Sequence, residues 1–329
     1  MLHRHFDAVY CLSLRRRPDR WKRIERLAER CDLQIQRVIS EELDPALADA
    51  DCRRKLVAPL ARAFGLPSTI SCSHGHREIW RRVARGDGET ALILEDDAVL
   101  APDFSDEGFA RIWSALPADW DRVYLGHFDV PAAGRLLGRR PRTCGAHILR
   151  PAFPTLAHAY AITRDHARQL LDDCGKIKWY VDYEMALHSM RRDRRVYALR
   201  PDQLVQFDHA DSEQAVSERS RVLKWALRSK TVEHFYSVRV GRIFSYVFTV
   251  GSLLFFCASF LAGLVLGNPG VTWLWSALMV GIHLPDIRKS LAGILNPCVD
   301  SVLCAAFYFG GAVVPAFVAK LFGRLSALL

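Results

Sequence analysis

From Ile243 through Pro285 the chain carries no Asp, Glu, Lys or Arg. Such a run is not a solvated surface; it belongs in a core or a bilayer. Ile243–Leu266 is long enough for a spanning helix, which takes about 20 residues. Asn268-Pro269-Gly270 follows as a turn. Val271–Leu284 is apolar but short for a full crossing, and Ser301–Ala319 is interrupted by Gly310-Gly311 and Pro315. Membrane-associated helices are therefore expected over residues 243–329, with buried core helices as the alternative. Arg219, Arg221, Lys224, Arg228, Lys230, Arg239 and Arg242 precede the first segment, and Arg288 and Lys289 follow the second. By the positive-inside bias, the N-terminal part is expected on the cytoplasmic side of a bacterial-type inner membrane. Residues 213–242 intersperse those cations with Val222, Leu223, Trp225, Leu227, Phe235 and Tyr236. They read as a basic juxtamembrane amphipathic linker on an anionic leaflet, or as a solvated linker helix.

The rest of the chain has the charge balance of a folded domain. The net charge of +9 suits an anionic partner: nucleic acid, a phosphorylated small molecule or an acidic membrane surface. Nine cysteines, an odd number with no C-x-x-C pair, argue against a zinc ribbon or a disulfide framework and fit a reducing compartment. The segment MLHRHFDAVYCLSLRRR lacks the layout of a signal peptide.

Strands and helices alternate over residues 1–212. Phe6–Leu14 and Ile35–Ile39 read as strands around a helix that begins near Asp19 and carries Trp21, Ile24, Ala28 and Cys31 at helical spacing. A helix ends at Ile79–Ala84, before Gly86 and Gly88. Leu92–Leu94, Asp121–Leu125, Ala157–Thr163 and Val196–Leu199 read as further strands. Residues 106–116, 165–173 and 183–191 read as helices, and 130–154 as a long loop. An α/β domain follows.

In that domain the stretch ALILEDDAVL, residues 91–100, sets three carboxylates behind an apolar strand. Adjacent negative charges repel and are costly to desolvate. An extended backbone points Glu95 and Asp97 one way and Asp96 the other. A pair of carboxylates at a strand's carboxyl end suits a hard divalent cation, Mn²⁺ or Mg²⁺, which also bridges to phosphates. The alternative is a solvated acidic turn. Phosphatases of the haloacid dehalogenase type want D-x-D-x-T, and E-D-D-A-V fits poorly. Response-regulator receivers place E-D-D on their first strand, whereas about 90 residues precede it here. Asp129 is then the sole candidate phosphoacceptor. Nucleotide-sugar glycosyltransferases of the GT-A type use such a cluster for metal and diphosphate.

Several motifs in order resemble glycosyltransferase family 25, the lipooligosaccharide-type glycosyltransferases, over about residues 6–212. VYCLSLRRRPDR resembles its opening strand, with Ser13 where asparagine is usual and Arg20 matching. SCSHGHREIW resembles its G-C-x-x-S-H segment, with Cys72 and His76 present but Ser71 and Gly75 replacing glycine and serine. ALILEDDAVL, VYLGH, AHAYAITRDHARQLL, WYVDYE and YALRPDQLVQ follow. The resemblance implies a GT-A-like (Rossmann-like) nucleotide-sugar-binding domain. It also implies transfer of a sugar, often galactose, from a nucleotide diphosphate sugar such as a UDP-sugar to a saccharide hydroxyl of a glycolipid, with inversion. The expected partners are that donor, a glycolipid or oligosaccharide acceptor and an anionic membrane surface, and not nucleic acid.

Inversion needs a general base. Asp182 is the first candidate and Glu184 the second; Asp182 also reads as a helix N-cap. Glu95 and Asp97 are the expected metal ligands, with His209 a later one or simply a surface histidine. Ser13, Arg20, His76 and Asp96 are expected near the nucleotide sugar. Cys72, His74 and His76 lack a fourth ligand at zinc spacing. A membrane-tethered receiver-like module and an inactive glycosyltransferase-like scaffold are the alternative functions.

Overall fold

The structure is a computed structural model, described here for residues 2–101, 104–191, 194–200, 205–207, 239–243, 246–266, 274 and 302–314. The chain divides into two units, Met1–Ala215 and Val216–Leu329.

The first unit is a mixed α/β domain. Its strands are β1 (Ala8–Ser13), β2 (Ile35–Ile39), β3 (Thr90–Glu95), β4 (Ala98–Leu100), β5 (Arg122–Asp129), β6 (Arg142–Thr143), β7 (Ile148–Arg150), β8 (Pro154–Thr163), β9 (Val196–Leu199) and β10 (Val205–Phe207). Eight of them form one sheet in the order β2-β1-β3-β8-β5-β9-β7-β6. β1 is parallel to β2 and β3, while β8 runs antiparallel between β3 and β5. β4 leaves this sheet and pairs antiparallel with β10.

Alternation along each strand divides the core in two. Val9, Cys11, Leu92, Leu94, Val123 and Leu125 pack with Ile24 and Leu27 of α1 (Pro18–Cys31), and with Phe109 and Ile112 of a helix at Asp106–Ser114. Tyr10, Leu12, Ala91, Ile93, Tyr124 and Tyr160 pack on the opposite face. There they meet Ile79 and Trp80 of the Pro67–Arg85 helix, Ala167 and Leu170 of the Arg164–Cys174 helix and Met185 of the Val181–Ser189 helix. Helices on both faces explain why Ala91–Leu94 is uniformly apolar. Pro18 starts α1, with its fixed φ suited to the first turn, and Asp32 ends it at φ 53°.

The expected long loop at 130–154 holds a short helix, Pro131–Leu136, together with β6 and β7. The expectation of one spanning helix over Ile243–Leu266 is corrected. In the second unit Arg239–Ile243 pairs antiparallel with Tyr246–Thr249, and within Ile243–Leu266 the described helix is Val250–Leu266. Tyr246, Val247, Phe248 and Thr249 are strand formers, which accounts for the lost turns. The helix measures about 25 Å at 1.5 Å per residue, against about 30 Å of hydrocarbon. Among the described residues, no helix is long and apolar enough to cross a membrane. The 213–238 linker and nearly all of 267–301 lie outside the described residues.

Candidate active site

β3 delivers the acidic cluster to the carboxyl edge of the sheet. Glu95 closes the strand, Asp96 and Asp97 form a turn, and Ala98 starts β4. The three carboxylates meet different surroundings.

Asp96 faces α1. Its Oδ1 accepts from Arg20 Nη1 at 3.0 Å and its Oδ2 from the Leu14 backbone N–H at 2.8 Å. Both side chains of the pair are buried. Arg20 and Asp96, expected at the nucleotide, are thus directed at each other, and the ion pair fastens α1 to the end of β3. Ser13, also expected there, is buried and its hydroxyl accepts from Arg37 Nε at 2.7 Å.

Glu95 faces the other way. Its Oε1 lies 3.1 Å from His76 Nε2. Burial works to raise its pKa, but the hydrogen bond to His76 together with the nearby His76, His158 and Arg20 side chains holds it below the ordinary value. His76 itself is fully buried, with Nδ1 3.0 Å from the Tyr160 hydroxyl. Cys72 and His76 are four apart in one helix and share a face. The Cys72 thiol, the His76 imidazole and the Glu95 carboxylate have ligand atoms within 4.8 Å of one another. His74, two residues from each, is not in this group.

Asp97 is buried, and its Oδ1 has no hydrogen-bond partner among the described residues. Burial first, then the Glu95 charge, push its pKa up to about 8. The Arg20 charge offsets part of this rise, but Arg20 is hydrogen-bonded to Asp96, so this nearly water-free oxygen beside a second carboxylate is left without a hydrogen-bond donor among the described residues. An all-oxygen pair fits a hard divalent cation better than a soft one.

Asp182 sits in the first turn of the Val181–Ser189 helix. Its Oδ2 accepts from Leu156 N at 3.0 Å and its Oδ1 from Tyr183 N at 2.9 Å. Burial raises its pKa to about 6 against those two hydrogen bonds, and Glu95 adds to the rise. Leu156 holds φ at 69°, a strained left-handed conformation inside β8 that presents its N–H to Asp182. Glu184 is differently employed. It forms a buried ion pair with Arg77 at 2.6 Å and accepts from the N–H groups of Lys178 and Trp179. These bonds tie the 178–180 loop to Glu184, the second candidate base.

Sequence reasoning gave no role to Gly126 or His158. A Cβ on Gly126 would lie 1.9 Å from the Val205 carbonyl oxygen and 2.3 Å from His158 Nε2. His158 Nε2 donates to that same carbonyl at 2.8 Å. The bare glycine lets β10 lie over β5, where Phe207 registers opposite Ala98, the residue after Asp97. The signals were VYLGH for Gly126 and AHAYAITRDHARQLL for His158. His209 lies outside the described residues. Gly75 likewise has a packing reason, since a Cβ there would come within 2.5 Å of Leu12 Cδ1.

The part of the chain that builds the Cys72–Asp97 side of this site is also the part with a family match. Residues 6–114 match the model of glycosyltransferase family 25 (LPS biosynthesis protein). The match takes in Arg20, His76 and Glu95–Asp97; Asp182 lies beyond it. The chain is 25% identical over 177 residues to a Bos taurus protein named "Probable inactive glycosyltransferase 25 family member 3", covering 50% of this chain and 29% of that protein. It is 28% identical over 178 residues to the Homo sapiens "Inactive glycosyltransferase 25 family member 3", again covering 50% and 29%. The chain thus spans less than a third of the length of these curated relatives. Mouse xyloside xylosyltransferase 1 in its apo form shares 8% identity over 57% of this chain and 71% of its own, with a TM-score of 0.30, at which likeness carries no weight.

Proposed function

We propose that the first unit transfers a sugar from a nucleotide diphosphate sugar, such as a UDP-sugar, to a saccharide hydroxyl of a glycolipid, with inversion. The observation that carries this reading is the orphaned Asp97 oxygen beside Glu95 at the sheet's carboxyl edge, in the segment matched by family 25. Asp97 and Glu95 would hold Mn²⁺ or Mg²⁺. When bound, the cation supplies positive charge to a leaving diphosphate.

The chain's own residues then divide the work. Asp182, with a pKa near 6, is largely ionised at neutral pH, so it suits removal of a proton from an acceptor hydroxyl. The Leu156 and Tyr183 N–H groups fix the carboxylate's orientation. The Arg20–Asp96 pair keeps the turn in place without adding net charge to it. His209, beyond β10, is retained as a proposed third ligand.

The second unit supports attachment to the cytoplasmic face of a bacterial-type inner membrane. Leu254, Leu261, Val265 and Leu266 of the Val250–Leu266 helix and Val302 and Phe309 of the helix at 302–314 are exposed. Apolar surface of this extent fits acyl chains, and the basic run at 219–242 fits anionic headgroups.

A catalytically inactive scaffold is the second reading. The names of the two curated relatives favour it, as does the commitment of Ser13 and Arg20 to internal partners. The receiver-like reading is not favoured, because Asp129 accepts from the N–H groups of Ala152 and Phe153 and β8 is antiparallel to its neighbours. The test is transfer from a panel of UDP-sugars to glycolipid acceptors. The leading reading expects turnover with Mn²⁺ and none in chelator or in Asp97→Asn. Donor binding without turnover on any acceptor selects the scaffold. Equal turnover by Asp97→Asn in chelator removes the metal role.

A further inference from the structure

Behind Glu95 runs a chain of buried polar groups that the proposed reaction does not use. Trp80 Nε1 lies 2.8 Å from the Tyr160 hydroxyl oxygen, which lies 3.0 Å from His76 Nδ1. His76 Nε2 lies 3.1 Å from Glu95 Oε1. Trp80, Tyr160 and His76 are each 0% exposed, while the Glu95 side chain is 26% exposed. The chain therefore leads from the core to the edge of the site.

The donors and acceptors can be assigned by elimination. An indole N–H only donates, so the Tyr160 oxygen accepts from Trp80. The phenol proton of Tyr160 is buried and needs an acceptor. His76 Nδ1 is the other polar atom in reach, so it accepts, and the imidazole proton sits on Nε2, directed at Glu95. Every proton in the chain then points the same way.

This polarity also decides what Cys72, His76 and Glu95 are. Three such ligand atoms within 4.8 Å resemble a small metal centre. A histidine that ligates metal through Nε2 carries its proton on Nδ1 and donates it outward. Here that proton would meet a phenol oxygen already accepting from Trp80, and the Tyr160 proton would be left buried without a partner. We propose that Trp80, Tyr160 and His76 form a one-way hydrogen-bond relay that fixes His76 as the Nε2–H tautomer and makes it the positioning residue for the Glu95 carboxylate, in place of a metal centre at Cys72–His76–Glu95. The relay engages Oε1 and leaves the second oxygen of Glu95 for the shared site with Asp97. The consequence for cation affinity rests on the proposed metal role of Glu95; the tautomer does not.

The full chain labelled with ¹⁵N-histidine tests the relay by long-range ¹H–¹⁵N spectroscopy, with the His76 signals assigned by their loss in His76→Gln. The expected wild-type pattern is that of an Nε2–H imidazole. Tyr160→Phe, which removes one oxygen and keeps the ring packing, is expected to abolish that single-tautomer pattern. An Nδ1–H pattern in the wild type overturns the relay. So does an unchanged pattern in Tyr160→Phe, or a thiolate-to-cobalt absorption band on Co²⁺ addition that Cys72→Ser removes. A second arm measures Mn²⁺ affinity by calorimetry on variants whose melting is cooperative. His76→Leu is expected to weaken binding about 10-fold or more, the usual effect of losing an outer hydrogen bond to a ligand. His76→Gln, whose amide N–H reaches the same carboxylate, is expected to recover most of it. Equal affinity in wild type and His76→Leu overturns the positioning role. Absence of Mn²⁺ binding by the wild type removes the metal role of Glu95 and leaves the relay to be decided by the tautomer.

Discussion

Three consecutive carboxylates, Glu95, Asp96 and Asp97, are compensated in three different ways. Arg20 neutralises Asp96, and His76 donates to Glu95. Asp97 Oδ1 has no hydrogen-bond partner among the described residues. In the cation-free protein its pKa rises from 3.8 to about 8, so the fold favours the protonated form. Its contribution to stability is then full below about pH 4 and is lost as pH rises towards 8. The melting temperature of the metal-free chain should fall through that window, and Asp97→Asn should flatten the curve and melt higher at pH 8. A wild-type curve that does not fall there contradicts this. For Asp182, a pKa of about 6 predicts that kcat rises through pH 6 as the carboxylate ionises. Asp182→Asn should lower kcat by about 10²–10⁴-fold in a steady-state transfer assay. Strand alternation was enough to send Glu95 and Asp96 to opposite faces. Their partners were not legible as such, because Arg20 is 76 residues from Asp96, and His76, 19 residues from Glu95, lies on a separate helix.

At the scale of elements, β1, β2, β3, β8 and β9 were readable because apolar and β-branched runs bounded by turn residues mark buried strands. β6 and β7 were not, since two- and three-residue strands inside a Gly-, Pro- and Arg-rich stretch exist only through pairing, β6 with β7 and β7 with the distant β9. The strand at Tyr246–Thr249 was hidden for the opposite reason: an uncharged apolar run fits strand and helix equally. Two substitutions test how elements are held. Arg20→Met strands Asp96 in a buried setting and should cost about 3–5 kcal/mol in denaturant unfolding. Gly126→Ala drives a methyl into the Val205 carbonyl and should cost about 1–3 kcal/mol while detaching β10.

At the scale of the molecule, a mixed α/β unit precedes a second unit whose described helices expose several large apolar side chains. Gly263 and Gly311 allow backbone contact, since a Cβ on Gly263 would lie 1.9 Å from the Tyr308 carbonyl oxygen and one on Gly311 2.0 Å from that of Phe260. Phe256, Cys304, Tyr308 and Ala312 are buried with them, while Leu254, Leu261, Val265 and Leu266 are exposed. The full chain should co-sediment with vesicles containing anionic lipid and bind neutral vesicles more weakly, with the difference shrinking at high salt. Equal binding to both would remove the role of the basic run. The central claim concerns the first unit: the Glu95–Asp97 site takes a nucleotide sugar through a divalent cation. Calorimetric titration of UDP-sugars into the full chain tests it most directly. Binding should appear with Mn²⁺, vanish in chelator and be absent in Asp97→Asn. Binding of equal strength in chelator, or unchanged in Asp97→Asn, would contradict it.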